Sequence, residues 1–154
     1  MQKKNKNLKY NAGFSLMELL VFVAIVGLLA TLSIASLESA RQKARDVKRT
    51  ADIKQFMTVL DIYFNDNNSY PEEFTPIVLG DANYSCFDED GFVAVCDANG
   101  KTYIKNVPSN PTPKGANYTY ASSSGDTYEL TFQLERGVGD IVEGAHIATP
   151  EGIK

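Results

Sequence analysis

From Leu19 to Leu37 no residue carries a charge, and nearly every side chain is apolar or small. At about 1.5 Å per helical residue, that run is long enough to cross a hydrocarbon layer of roughly 30 Å. It is apolar on all sides, the pattern of a helix surrounded by lipid or by other helices. The stretch that follows, "ESARQKARDVKRTADIKQFMTVLDIYFN", is amphipathic. Val47, Ala51, Phe56, Leu60 and Phe64 recur at intervals of three to five residues, and Ile53, Met57 and Tyr63 widen the same face. No Pro or Gly falls between Leu28 and Asn67. The two patterns therefore predict one helix from about Phe14 to Asn65, about 75–80 Å long. "NDNNSYP" ends it, because Asn, Asp and Ser favour turns and Pro71 cannot continue a helix.

Past Pro71 the texture changes to Gly, Pro, Asn, Tyr and β-branched residues. "ANYTYA" and "TYELTFQL" alternate between apolar and polar, with "SSSGD" between them as a hairpin connection. Tyr128, Leu130, Phe132 and Leu134 then share one sheet face, able to lie on the amphipathic part of the helix. "KTYIKNV" and "FVAV" are weaker strand candidates. "NPTPKG" reads as a turn, and the tail "GVGDIVEGAHIATPEGIK" as either loop or short edge strand. The fold class is α+β, a long N-terminal helix against a small C-terminal antiparallel sheet. The chain divides into a leader (1–13), an apolar helix (14–37), its amphipathic continuation (38–66) and a globular head (67–154).

Charge is unevenly placed. The leader holds Lys3, Lys4, Lys6 and Lys9 with no acid, while the whole chain of 154 residues carries −4. Without those lysines the balance is eleven cations against nineteen acids, or −8. An acidic body excludes sequence-specific nucleic-acid binding, which draws on basic residues. Lysines ahead of the apolar run orient the N-terminus toward the cytoplasm, although "RQKARDVKR" beyond it is also basic. That collar, Arg41, Lys43, Arg45, Lys48 and Arg49, either pairs with acids of neighbouring molecules or is a solvated helix face.

Cys86 and Cys96 lie ten positions apart with no CxxC and no nearby His, which is not a zinc pattern. Outside the cytoplasm they form a disulfide contributing about 3 kcal/mol; the alternative is two buried thiols. "FDEDGF" and "CDANGK" lack the ligand spacing of an EF-hand and read as surface turns. His146 is the only histidine and has no nucleophile motif to serve, so no catalytic site and no metal site is expected.

One residue does not fit the apolar run. Glu18 stands at its mouth, and an ionised carboxylate inside hydrocarbon costs at least about 2.5–3.5 kcal/mol at a helix centre, less near the interface. No Lys, Arg or His follows before Arg41. The nearest available cation would be an α-amino group made by cutting the chain ahead of Phe14; such groups titrate near about 7.7–8.0. Glu18 also lies at the positive end of its helix dipole, worth at most about 1–2 kcal/mol. "SIASLESA" is a competing site for an ordinary signal peptidase, but the apolar run passes straight into helix instead of a loop.

"GFSLMELL" behind a short Lys-rich leader resembles the N-terminus of type IV pilins and of the related pseudopilins of type II secretion systems. The resemblance extends to the order of elements: continuous helix, amphipathic second half, small sheet. It implies cleavage between Gly13 and Phe14 by a prepilin peptidase and N-methylation of Phe14. It further implies that Glu18 of an incoming subunit attracts the N-terminal amine of its neighbour, and so sets the register of a polymer; in a low-dielectric bundle two opposite charges gain much by meeting. Ala24, Gly27, Ala30 and Ser33, small residues at spacing three, would let helices approach closely. Some pseudopilins bind calcium in a C-terminal loop, which makes calcium in the head a weak expectation and no other cofactor an expectation at all.

The implied role is a structural subunit of a type IV pilus filament. It would sit in the cytoplasmic membrane before assembly and on the cell surface afterwards, with other pilin subunits as partners and the assembly platform and motor ATPases acting on it. A major pseudopilin of type II secretion, or a competence filament subunit, is the alternative within the family. A signal-anchored extracytoplasmic binding domain is the alternative outside it.

Overall fold

A computed structural model describes residues 13–154. The lysine leader therefore lies, apart from Gly13, outside the described residues. A single helix, α1 (Leu16–Asn67), is followed by eight strands. They are β1 (Glu73–Val78), β2 (Cys86–Asp88), β3 (Gly91–Val93), β4 (Thr102–Ile104), β5 (Thr119–Ser122), β6 (Glu129–Leu134), β7 (Gly144–Thr149) and β8 (Gly152–Ile153). The fold is α+β. The chain separates into two compact units between Ser39 and Ala40.

In the first unit the described side chains from Gly13 through Glu38 are all exposed. The helix begins after Ser15, whose carbonyl accepts the Leu19 N–H at 3.1 Å, and Glu18 falls in the first turn. Serine three residues ahead of glutamate is the spacing of a capping box. Thr31 and Ser33 turn their hydroxyls back onto the carbonyls of Leu28 and Leu29, at 2.8 and 2.9 Å. Neither hydroxyl needs water in an apolar surrounding.

In the second unit α1 lays one face on the sheets. Ile53, Phe56, Leu60 and Tyr63 are buried against Tyr118, Tyr120, Leu130 and Phe132 in one continuous core. The helix ends where Asn68 takes a left-handed conformation (φ 56°) and donates its N–H to Phe64 O at 2.7 Å. Asparagine tolerates that conformation better than most residues, so "NDNN" stops the helix as its composition predicts.

The larger sheet is antiparallel, in the order β1-β5-β6-β7-β8. Its centre is the predicted hairpin: Thr119 pairs with Thr131, Tyr120 with Leu130 and Ala121 with Glu129. Tyr128, Leu130, Phe132 and Leu134 are all buried on the helix side. The tail, open between loop and edge strand from sequence, becomes β7 and β8. β7 pairs with β6 over five residues, and only the two-residue β8 lies at the edge. The opposite edge, β1, was not predicted because Pro76 interrupts its pattern; it is tolerated there because an edge strand has one side without ladder bonds, and its register shifts between Glu73 and Ile77. A second sheet, β3-β2-β4, takes in the two weaker strand candidates, "FVAV" at β3 and "KTYIKNV" at β4, and adds β2, where "FDEDGF" was read as a surface turn. Phe87 on β2 stacks on Tyr63 at 5.2 Å and on Phe92 at 4.5 Å, which seats this sheet beside the last turns of α1. Cys86 and Cys96 form a disulfide with Cα atoms 5.4 Å apart.

Candidate functional site

Gly13, Phe14 and Ser15 precede the helix in irregular backbone, and all three are exposed. A peptide bond in that setting can enter a protease cleft without any helix being unwound. Phe14 is 78% exposed and Leu32 66%, as are their neighbours along the run, so this half of α1 has no partner in its own unit. Glu18 is exposed on the first turn and, among the described residues, has no ion-pair partner.

The spacing-three series behaves differently from expectation. Ala24, Gly27, Ala30 and Ser33 are all exposed in a regular α-helix. At 100° per residue, each step of three turns back by about 60°, so Ala24 and Ser33 face opposite directions. The four cannot form one groove; only adjacent members share a face.

The basic collar is split. Arg41, Lys43 and Lys48 are exposed, but Arg45 and Arg49 turn into the body. Arg45 grips Glu135 with two bonds of 2.7 Å, from Nε and from Nη2. Arg49 is 0% exposed. Its guanidinium donates to Asn110 Oδ1 at 2.7 Å, Asp46 Oδ1 at 2.7 Å, Glu135 Oε1 at 2.8 Å and Pro111 O at 3.2 Å, and also to Lys114 O. Those two arginines were expected among the residues facing neighbouring subunits. They instead neutralise two acids of the same chain, since a buried guanidinium requires carboxylates and acceptors around it.

Asp46 completes the cluster. Also 0% exposed, it accepts the backbone N–H groups of Glu135, Arg136 and Gly137 at 2.8–3.1 Å. Two cations and two anions thus tie α1 to the turn after β6 and to the loop 110–115. The Glu135 carboxyl is held down at about 2, chiefly by its bonds to Arg45 and also by Arg49, against the opposing effect of burial. Gly115 makes room for the guanidinium: its φ is +96°, and a Cβ there would stand 2.8 Å from Arg49 Nη2.

Sequence reasoning missed Asp46, Asn110 and Glu135 because charged and polar residues were not counted as core. A signal was present. Positions 46, 49, 53, 56, 60 and 63 alternate steps of three and four, the interval of one helix face. Val47 and Ala51, read as part of that face for being apolar, are exposed on the far side.

Next to this cluster Asp52 is raised, mainly by burial, and accepts the Tyr118 hydroxyl at 3.1 Å. His146 is half-buried in β7 against Phe132, with ring centroids 5.6 Å apart. Among the described residues no group of three or more His, Cys, Asp or Glu is arranged to hold a metal.

An exposed apolar helix with an acid in its first turn, long and apolar enough to cross a membrane, continues into a helix clamped on an antiparallel sheet, the arrangement of a pilin-like subunit. The family profile "Prokaryotic N-terminal methylation motif" matches residues 8–34. Type II secretion system core protein G of Escherichia coli K12 is 39% identical over 149 residues, covering 91% of this chain and 82% of the relative. The same-named protein of Aeromonas hydrophila is 38% identical over 71 residues, 46% of each chain, so this chain aligns with less than half the length of that relative. The type IV wide pilus major component PilA4 of Thermus thermophilus is 41% identical over 58 residues, 38% of this chain and 44% of the relative. No solved structure gives a match. The chain belongs to the type IV pilin and type II secretion pseudopilin family.

Proposed function

We propose that this chain is the repeating structural subunit of a pilin-type helical filament, cut between Gly13 and Phe14 and polymerised through the front half of α1. The observation that carries this reading is the exposure of every described side chain from Phe14 through Leu37, helical from Leu16 on. Lipid covers this stretch before assembly and other copies afterwards. Burying each Leu, Val, Ile or Phe against protein instead of water is worth about 1.5–3 kcal/mol, but lipid removes that gain. Close packing and one charge contact then select the assembled form. Glu18 supplies that contact, meeting the methylated amine of Phe14 on a neighbouring copy and fixing the axial register.

Glu18→Ala tests the register role. Filament recovered by shearing should fall to background while the protein still enters the membrane, and an unchanged yield would reject the role. N-terminal mass analysis of filament protein should find methylated Phe14 as the first residue; retention of Met1 would refute processing.

Between a surface pilus and a secretion pseudopilus, the relative aligned over most of both chains favours the second: it is a secretion protein G, whereas the wide pilus component aligns over 58 residues. Deleting the gene separates the two. Loss of exported protein with surface pili intact supports a pseudopilus, and the reverse supports a pilus.

A further inference from the structure

The back half of α1 has two faces, and the sheet covers only one. On the other, Val47 is 49% exposed and Ala51 is exposed one turn on. Lys43, Lys48 and Lys54 flank them, all exposed and, among the described residues, none in an ion pair. An apolar strip edged by exposed lysines fits an apolar tip beside acids, and the same unit carries one. Val95, 82% exposed, projects just ahead of Cys96 in the loop that the disulfide closes; Asp97 is exposed two residues on, close to Gly100, which the Glu89 carboxylate also approaches, and Glu89 and Asp90 are exposed in the turn between β2 and β3.

The two surfaces cannot meet within one molecule. Tyr63 donates its hydroxyl to Glu89 O at 3.3 Å, which fixes the acidic tip beside the end of α1. Lys48 lies fifteen residues earlier on the same helix, about 22 Å away along its axis. A second copy displaced axially by that order of distance brings them together. The contact is heterologous, each copy using a different patch, and such contacts propagate instead of closing into a dimer.

We propose that the Val47–Ala51 strip with its lysines docks the Val95 tip of a second copy of this chain, a head-level contact additional to the one made by the apolar helix. This rests on the homopolymer proposed above. Charge complementarity identifies the occupant: the strip is basic on an acidic protein, and the tip carries three exposed acids in the same small sheet and loop as an exposed valine. Exposed rim charges of this kind set register and partner choice more than bulk affinity.

The test uses filaments of the full chain grown from mixed light and heavy isotope-labelled subunits, treated with a zero-length carboxyl–amine cross-linker and analysed by mass spectrometry. Mixed-label cross-links from Lys43, Lys48 or Lys54 to Glu89, Asp90 or Asp97 are expected. Mixed-label cross-links from those lysines to other acids only would overturn the docking. Lys48→Glu and Asp90→Lys should each lower filament yield by about tenfold, with the double exchange recovering most of it. A double variant no better than either single change also overturns it, and thermal melting of each variant separates misfolding from lost contact. Abolition of filaments by Glu18→Ala alongside normal yield from both single exchanges would leave the polymer standing and remove only this contact. If the unaltered chain forms no filament, both readings fall together.

Discussion

The two halves of α1 are built of the same backbone and treat charge in opposite ways. Before Ser39 the surface is bare and one carboxylate, Glu18, stands without an ion-pair partner among the described residues. After Ala40 one face is closed, and two cations and two anions at its centre are matched one for one. A charge satisfied inside its own chain stabilises that chain and says nothing to a neighbour. A charge left open is available to select one. On the reading proposed above, the front half and the outer face of the back half serve assembly while the buried face of the back half serves folding, and changes in the two groups should be read by different measurements.

The sharpest contrast is Arg49→Met against Glu18→Ala. Removing the guanidinium leaves Asp46 and part of Glu135 buried without a counter-ion, which costs about 3–5 kcal/mol. The melting temperature of the detergent-solubilised full chain should fall by about 10 °C or more. Glu18→Ala should leave that temperature within about 1 °C, since it lies outside the body. Equal shifts for the two would erase the distinction. Next in size is the disulfide. Replacing Cys86 and Cys96 together with Ser releases a loop of about ten residues and should cost about 3 kcal/mol in the same melting measurement.

Acid should destabilise the folded body. Glu135 is held at about 2 in the folded chain, below the ordinary carboxylate value of 4.5. Its contribution is therefore complete above about pH 4.5 and is lost as pH falls toward about 2. Melting temperature should decline through that window, and Glu135→Gln should flatten the decline while lowering stability at neutral pH. The smallest change has the opposite sign. Among the described residues, the Tyr128 hydroxyl is buried without a hydrogen-bond partner. Tyr128→Phe should be neutral or stabilising by up to about 1 kcal/mol, and a loss of stability would mean that the hydroxyl is satisfied after all.

The parts visible in sequence were those whose pattern is repeated by many residues. Nineteen uncharged positions from Leu19 to Leu37 fix the apolar half, and the absence of Pro and Gly past Leu28 joins it to the rest. Alternation over Tyr128–Leu134 fixes the central strand and its buried face. Hidden features depend on few residues or on exceptions. Pro76 masked an edge strand, the three-residue β2 gave too little alternation to count although β3 and β4 fell within the weaker strand candidates, and Arg49 was assigned to the surface by its charge. Burial of an arginine is decided by acceptors 61 to 86 positions away, at Asn110 and Glu135, and no local window contains them. For Gly13, Phe14 and Glu18 the reverse holds: their meaning was local in sequence, and their own unit adds exposure but no partner.

The edges of the larger sheet bear on crowding. A protein concentrated beside copies of itself risks joining strand to strand, a route that needs no side-chain recognition and ends in irreversible deposits. Here one border is broken by Pro76 and a register slip, and the other is only two residues long. Backbone templating is thereby blocked on both sides, so that a dense array of these molecules can grow only through contacts that can also be undone.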